Sequence, residues 1–223
     1  MSDLRAALVI DCQNVHLTGA GLFEPHQPPH EHLVHPLHYA NRIVGCRNQR
    51  QRPGFPHAAV TKVLVYRGLP SADIDPRSYG RNLAQKAEWE LDPRVKVTHH
   101  RPLRYKYHRD GNGRKVTDQQ GRWLTIGKPQ EKGIDVLVAL AVIREARDPD
   151  IDLVILCSQD TDLEPSIDEA LTLASAKIET ASWFDPKSPQ SSHEIRPAGG
   201  MRIWNTRLGA MDFAACYDSK VYP

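Results

Sequence analysis

The chain has 223 residues, of which 25% are charged, and its formal net charge is only +2. A hydrophobic fraction of 40% is ordinary for a globular protein with a buried core, and so small a net charge does not identify a class of partner. None of the four cysteines stands in a C-x-x-C pair, so we expect no disulfide framework and a reducing cytoplasm. No apolar stretch approaches the roughly 20 residues that a membrane helix needs, so no membrane association is expected.

The first half of the chain alternates strand-like and helix-like segments. Residues 6–10 are apolar and predict a buried strand that ends at Asp11, after which Asn14 could cap a helix. An irregular segment rich in proline and histidine follows. The next predicted elements are a helix, a strand, a helix and a strand, at 37–46, 60–66, 76–91 and 95–98.

The second half begins with short extended pieces separated by the turn signal Asp110-Gly111-Asn112-Gly113, which predicts an inserted β-hairpin. Residues 136–146 predict a helix with Asp135 at its N-terminal edge, and residues 151–157 predict a buried strand. The remaining predicted elements are a helix, a strand, a strand and a helix, at 163–174, 177–183, about 201–204 and about 207–216.

Strands that alternate with helices and are apolar on both faces indicate an α/β fold. Its central sheet is expected to be mostly parallel and covered by helices on both sides. We predict a single domain with a core at about 5–184, a basic hairpin inserted at about 101–128 and a C-terminal strand–helix extension at about 199–218.

Four aspartates are predicted to meet at one edge of this sheet, where the carboxyl ends of parallel strands lie. Asp11 ends the first strand, Asp160 and Asp162 follow the strand at 151–157, and Asp135 begins a helix at the same edge. Two carboxylates about 4 Å apart repel by roughly 4 kcal/mol at an effective dielectric near 20. Either one of them is protonated or a cation neutralises them, and oxygen ligands suit Mg²⁺ or Mn²⁺. A single aspartate in such a place is usually a cap or turn residue, whereas four together favour a metal site.

Three segments resemble the signatures of the NYN-domain family, which belongs to the PIN-like nucleases. They are Asp11-Cys12-Gln13-Asn14-Val15, Lys132-Gly133-Ile134-Asp135-Val136 and Ser158-Gln159-Asp160-Thr161-Asp162-Leu163. Their order and approximate spacing also match, across most of residues 8–183. The resemblance implies a Rossmann-like, PIN-like three-layer sandwich and a metal-dependent endoribonuclease. It maps the four aspartates onto the acidic site, with Asn14 and Ser158 at its border.

A basic segment leads directly into the predicted site. Residues 101–132 contain nine lysines and arginines against three acids, with three aromatic residues among them. Basic side chains can hold phosphates and aromatic rings can stack on unpaired bases, so this segment could guide single-stranded RNA, although a solvated hairpin would look the same. The residues predicted to contact RNA are Arg101, Arg104, Lys106, Arg109, Arg114, Lys115, Arg122, Lys132 and Ser158.

Other readings of the same residues stay open at this point. The sequence has no convincing serine or cysteine triad, so the expected nucleophile is water activated by Mg²⁺ or Mn²⁺. A non-catalytic RNA-binding or regulatory module, or a metal-dependent phosphatase for small phosphoesters, would also use this fold. A toxin paired with an antitoxin, and a homodimer, are compatible as well. His16 could face the site, while five histidines form a Pro-rich surface loop or, less favourably, a zinc site: His26, His30, His32, His35 and His38.

Overall fold

The computed structural model describes residues 2–28, 32–98, 102–188 and 194–222. Its strands are β1 (Leu4–Asp11), β2 (Ala58–Tyr66), β3 (Val95–Thr98), β4 (Arg104–Tyr107), β5 (Thr125–Gln130), β6 (Leu153–Cys157), β7 (Lys177–Trp183) and β8 (Trp204–Leu208). Its helices are α1 (Cys12–Phe23), α2 (Pro36–Gln49), α3 (Pro76–Trp89), α4 (Ile134–Ala146), α5 (Glu164–Leu173) and α6 (Ala210–Ala215), and a single 3-10 turn, Thr161–Leu163, precedes α5.

Six of the strands form one sheet in the order β3-β2-β1-β6-β7-β8, and each neighbouring pair is parallel. The carboxyl ends of these strands therefore share one edge. In the middle of the sheet, Asp11 lies opposite Tyr66 of β2, and Ile10 lies opposite Cys157 of β6. The predicted α/β fold with a parallel sheet is confirmed, and the end of β1 lies beside the start of the loop after β6.

Apolar side chains cover both faces of the sheet, and this explains the unbroken apolar runs of its central strands. Along β1, Leu8 packs into the core beneath α1, α2 and α6, whereas Val9 packs into the core beneath α4 and α5. Each large apolar side chain buried in these two cores contributes roughly 1.5–3 kcal/mol to stability. Helices therefore lie on both faces, as predicted. None of the helices within the described ranges is long and apolar enough to cross a lipid bilayer.

The C-terminal strand begins later in the chain than the sequence places it. The strand expected at about 201–204 begins instead at Trp204, which pairs with Glu179 of β7. It alternates, with Thr206 and Leu208 buried and Arg207 exposed, and its last two residues are ones that the sequence suggested would be helical. A strand followed by a helix is present as predicted, and α6 lies within the expected 207–216. The bounds of the strand were wrong because its pairing with β7, which is distant in sequence, decides where it lies.

The basic ribbon, residues 104–130, lies outside the main sheet and is built on the antiparallel pair β4 and β5. Between these strands the chain reverses twice, and each turn is closed by an aspartate side chain. Asp110 accepts a hydrogen bond from the Arg114 backbone at 2.8 Å, and Asp118 accepts one from the Arg122 backbone at 2.9 Å. The predicted turn signal at residues 110–113 thus marks the first of two turns.

Candidate functional site

Three carboxylates from three separate elements meet at the carboxyl edge of the sheet. Asp11, Asp135 and Asp160 each place an oxygen within 4.8 Å of the others. Asp11 ends β1 and is 3% exposed, whereas Asp160 in the loop after β6 is half-buried and Asp135 in the first turn of α4 is exposed. This carboxylate cluster is therefore anchored at its base and open to solvent on one side. Its all-oxygen donor set fits a hard divalent cation.

Hydrogen bonds of Ser158 and Asn14 fix the base of the cluster. Asp11 caps α1 by accepting the Asn14 backbone N–H at 3.2 Å, and it accepts the Ser158 hydroxyl at 3.1 Å. The same hydroxyl accepts the Asp160 backbone N–H at 3.1 Å, so one side chain connects two of the aspartates. The Asn14 side-chain oxygen accepts the Gln159 backbone N–H at 2.8 Å. The loop after β6 is thereby held against the start of α1.

Two residues expected at the border of the site, Asn14 and Ser158, lie there, but their contacts differ from those expected of a helix cap and of an RNA-contacting residue. Asn14 does not cap α1, because the helix begins at Cys12 immediately after the strand and Asp11 takes the capping position. Asn14 instead braces the loop after β6. Ser158, grouped with the RNA-contacting residues from sequence, is 2% exposed and spends its hydroxyl on Asp11 and Asp160. It is a positioning residue for the carboxylates.

The fourth predicted aspartate lies at the rim of the cluster. Asp162 is exposed in the 3-10 turn, where its backbone N–H donates to the Asp160 carboxylate at 3.1 Å. Its own carboxylate is outside the group of three whose oxygens meet. Its negative charge is close enough to contribute to a raised pKa at Asp135. The expected four-aspartate site is therefore three carboxylates with a fourth beside them.

The ionisation of the cluster reflects the burial of its carboxylates and their mutual repulsion. Burial raises the pKa of Asp11 to about 7, against the opposing effect of its hydrogen bonds from Asn14 and Ser158, and the charges of Glu131 and Asp135 raise it further. Burial and the charge of Asp160 raise the pKa of Asp135. A bound divalent cation would relieve this repulsion, and a perturbed pKa of this origin is typical of functional sites.

A fifth acid, Glu131, borders the cluster and was not predicted. It lies between β5 and α4 and accepts the Gly68 backbone N–H at 2.5 Å. Burial raises its pKa, with a further contribution from the charge of Asp135. Gly68 is needed here, because a Cβ atom would lie 2.4 Å from the Leu103 side chain and 3.0 Å from the Glu131 side chain. The available signal in the sequence was an isolated acid in a basic segment, just before the Asp135 motif.

The predicted RNA-contacting residues of the basic ribbon are exposed, as is Lys132: Arg104, Lys106, Arg109, Arg114, Lys115 and Arg122. The aromatic residues among them are partly used in packing. The Lys115 ammonium lies 3.6 Å from the centroid of the Tyr107 ring and 5.5 Å from that of Trp123. The Tyr105 hydroxyl accepts the Ser71 backbone N–H at 3.1 Å. Arg101 lies outside the described residues.

His35 and His38 of the Pro-rich segment have structural contacts. The His35 ring accepts the Leu37 backbone N–H at 3.2 Å at the start of α2 and stacks on His38 with centroids 4.2 Å apart. His30 lies outside the described residues. Across the described ranges, the three aspartates form the one group of metal-ligating side chains close enough to share an ion, so the alternative of a zinc site in this segment gains no support.

Comparisons with known proteins add little to this geometry. No family model matches the sequence, and no curated protein matches it. Among solved structures, the chain is similar to a crystal structure of a protein of unknown function from Vibrio parahaemolyticus RIMD 2210633. The TM-score is 0.40 and the sequence identity 20%, over 80% of this chain and 81% of that one. The resemblance to the NYN-domain family therefore stays a prediction, and the functional argument depends on the site itself.

Proposed function

We propose that the protein is a metal-dependent ribonuclease that hydrolyses RNA phosphodiester bonds with Mg²⁺ or Mn²⁺ held by Asp11, Asp135 and Asp160. The observation that carries the proposal is the meeting of three carboxylate oxygens within 4.8 Å, delivered by three elements far apart in sequence. None of the three forms a salt bridge with a lysine or arginine in the described part of the chain. Their charge is thus left for an ion from outside.

Each neighbouring group has a role in this proposal. Ser158 keeps two of the carboxylates in place, and the N-terminus of α4 favours the negative charge of Asp135. Asp162 and Glu131 add negative charge at the rim. A divalent cation bound there would supply Lewis acidity toward a phosphate oxygen and toward water. The chain itself supplies a fixed, partly desolvated set of ligands.

The finer description of the fold belongs to the same proposal. We propose a PIN-like arrangement in which the basic ribbon acts as the inserted hairpin that guides single-stranded RNA. Support comes from its exposed basic side chains and from its continuity with the site, because β5 leads through Glu131 and Lys132 into α4. The four cysteines are free thiols, which supports a reducing cytoplasm as the place of action.

The test is cleavage of labelled single-stranded RNA by the purified protein with Mn²⁺ and with EDTA. We expect cleavage with Mn²⁺, none with EDTA, and none for an Asp160→Asn variant. Asp3→Asn is the matched control, because Asp3 is exposed at the opposite end of β1, and it should cleave like the wild type.

Each other outcome points to a different function. Cleavage that persists in EDTA or in Asp160→Asn would overturn the proposal. RNA binding without cleavage in Mn²⁺ would indicate the regulatory module. Hydrolysis of a chromogenic phosphomonoester without RNA cleavage would indicate the phosphatase.

A further inference from the structure

A cleft of about 390 Å³ adjoins the carboxylate cluster and shares Glu131 with it. Its walls come from α1, from α3 and from the basic ribbon, with the segment after β2 between them. The volume is in the range of pockets that bind small molecules. The lining combines apolar side chains such as Leu17 with two basic residues, Arg67 and Lys128, and two acids, Asp75 and Glu131. A ligand for this cleft is therefore partly apolar, and any negative charge that it carries has to lie beside the two basic residues.

An unsatisfied polar atom in the wall indicates what the ligand must offer. Asn82 of α3 is 8% exposed, and its side-chain N–H donates to the Ser78 carbonyl at 2.8 Å. Its side-chain oxygen is buried and has no hydrogen-bond partner among the described residues. Buried polar atoms are nearly always satisfied in folded proteins, so this acceptor points to a missing donor. A ligand with an N–H group at one edge would provide it.

The opposite wall provides a fixed aromatic ring. Tyr105 of the basic ribbon lines the cleft, and its hydroxyl is held by the Ser71 backbone N–H. Aromatic rings stack on nucleobases of any sequence. The Arg67 guanidinium is also held in place, because it donates to the Gln85 side chain at 2.8 Å and lies 5.6 Å from the centroid of the Trp89 ring. Stacking surface and positive charge are thus both positioned in advance.

We propose that this cleft binds one unpaired nucleotide of an RNA strand, with its base stacked on Tyr105 and an edge N–H donating to the Asn82 oxygen. Each of the four bases carries such a donor, so the cleft should bind any nucleotide more tightly than a sugar phosphate without a base. The phosphate lies beside Arg67 and Lys128, and the strand continues past Glu131 toward the three aspartates. The link to cleavage rests on the proposed function, whereas nucleotide binding itself does not.

The binding test uses nucleoside 5′-monophosphates, with ribose 5-phosphate as the probe that lacks a base, titrated in EDTA by isothermal calorimetry and by ligand-observed NMR. We expect the nucleotides to bind and ribose 5-phosphate to bind at least about fivefold more weakly, since stacking on one aromatic ring contributes at least that factor. Tyr105→Leu should weaken nucleotide binding by about fivefold or more, because it removes the stacking ring. Asn82→Leu removes one hydrogen bond and should weaken binding by roughly two- to tenfold.

Two controls separate binding from folding. Tyr105→Phe keeps the ring but loses the contact with Ser71, so it should bind nucleotides more tightly than Tyr105→Leu. Asn41→Leu changes an exposed asparagine of α2 and should bind nucleotides like the wild type. If Asn82→Leu does not fold, the comparison of Tyr105→Leu with Tyr105→Phe carries the test. Ribose 5-phosphate binding as tightly as the nucleotides, or unchanged binding in both cleft variants, would overturn the proposal.

The two proposals can fail separately. Nucleotide binding that depends on Asn82 and Tyr105, without any RNA cleavage in Mn²⁺, would leave the cleft standing and remove the nuclease. RNA cleavage that depends on Asp160, with an unchanged KM in both cleft variants, would do the reverse. If both hold, the cleft variants raise the KM for RNA more than they lower kcat.

Discussion

Two of the buried acidic side chains among the described residues, Glu179 and Asp11, differ in the partners of their charges. On β7, Glu179 is fully buried and accepts two hydrogen bonds from the buried Arg47 guanidinium, at 2.8 and 3.0 Å. The Lys177 ammonium also lies 2.7 Å from a Glu179 carboxylate oxygen. At the end of β1, Asp11 is almost as deeply buried, yet its charged neighbours are the acids Glu131 and Asp135. Glu179 is thus paired with basic side chains, whereas the described residues give Asp11 no such partner.

The charge of Glu179 is therefore structural, whereas the charge of Asp11 stays available to a ligand. Removing an unpaired carboxylate from water is expensive, and a chain normally provides the partner, as it does for Glu179. In the carboxylate cluster no basic partner among the described residues offsets the cost of removing Asp11 from water, and burial accordingly raises its pKa. An arrangement that lowers stability and yet is held by Ser158 and Asn14 is what the proposed cation site would explain.

The largest effect is expected when the paired site is made to resemble the unpaired one. Glu179→Gln leaves the Arg47 guanidinium buried without its carboxylate, and should lower the free energy of unfolding by about 3–5 kcal/mol. The measurement is urea unfolding followed by circular dichroism. Replacing both partners, Arg47→Met with Glu179→Leu, removes the charges together and should be much less destabilising. Equal losses in the single and double variants would contradict the comparison.

The converse change, at Asp11, should stabilise the metal-free protein at neutral and higher pH. With a pKa of 3.8 when unfolded and about 7 when folded, Asp11 binds more proton in the folded state between these values. The unfolding free energy therefore falls as pH rises from about 4 to about 7, and the loss is complete above that. Asp11→Asn removes this loss, so in EDTA at about pH 8 it should be more stable than the wild type by roughly 2–4 kcal/mol.

The measurement is chemical unfolding in EDTA at about pH 4, 6 and 8. The two proteins should differ least at the acid end and most at the alkaline end. Parallel stability profiles across the range would show that Asp11 has no raised pKa in the folded protein.

A smaller effect is expected from loosening the cluster without changing its charge. Ser158→Ala removes the hydroxyl that joins Asp11 to the Asp160 backbone, and loss of such a supporting contact typically weakens metal binding by about 10–100-fold. Mn²⁺ affinity can be measured by calorimetry or by the rise in Tm. Ser166→Ala is the matched control, because that buried hydroxyl donates to the Leu163 carbonyl instead. The same affinity in both variants would show that Ser158 does not position the ligands.

The sequence predicts the base of the site well because strand order and direction follow from apolar patterning. Asp11 and Asp160 follow apolar strands, and parallel pairing alone brings those ends together. Asp135 is predicted for the same reason, since α4 begins at that edge. These positions depend on the topology of the backbone and hardly at all on which side chains happen to touch.

The rim of the site depends on contacts that a sequence does not reveal. Glu131 enters because Gly68, 63 residues away in the chain, has no side chain and so leaves room for the carboxylate, which accepts the Gly68 backbone N–H. Asp160 and Asp162 are equivalent in the motif, but the 3-10 turn directs one inward and leaves the other exposed. Local backbone geometry of this kind is decided by packing.

The smallest expected effect concerns the basic ribbon, whose charges are exposed, unlike those of Glu179 and Asp11. Changing Arg104, Lys106 and Arg109 together to alanine should weaken single-stranded RNA binding and flatten its salt dependence, because each lost phosphate contact removes about 0.7 from the slope of log K against log salt. Binding is measured in EDTA across a range of salt. A triple alanine variant of exposed basic residues outside the ribbon, Arg52, Lys96 and Arg147, keeps the change in net charge the same. That control loses only the general electrostatic attraction for RNA. An equally flattened salt dependence in both variants would therefore mean that RNA does not follow the ribbon. A flattening confined to the ribbon variant would place phosphates along it.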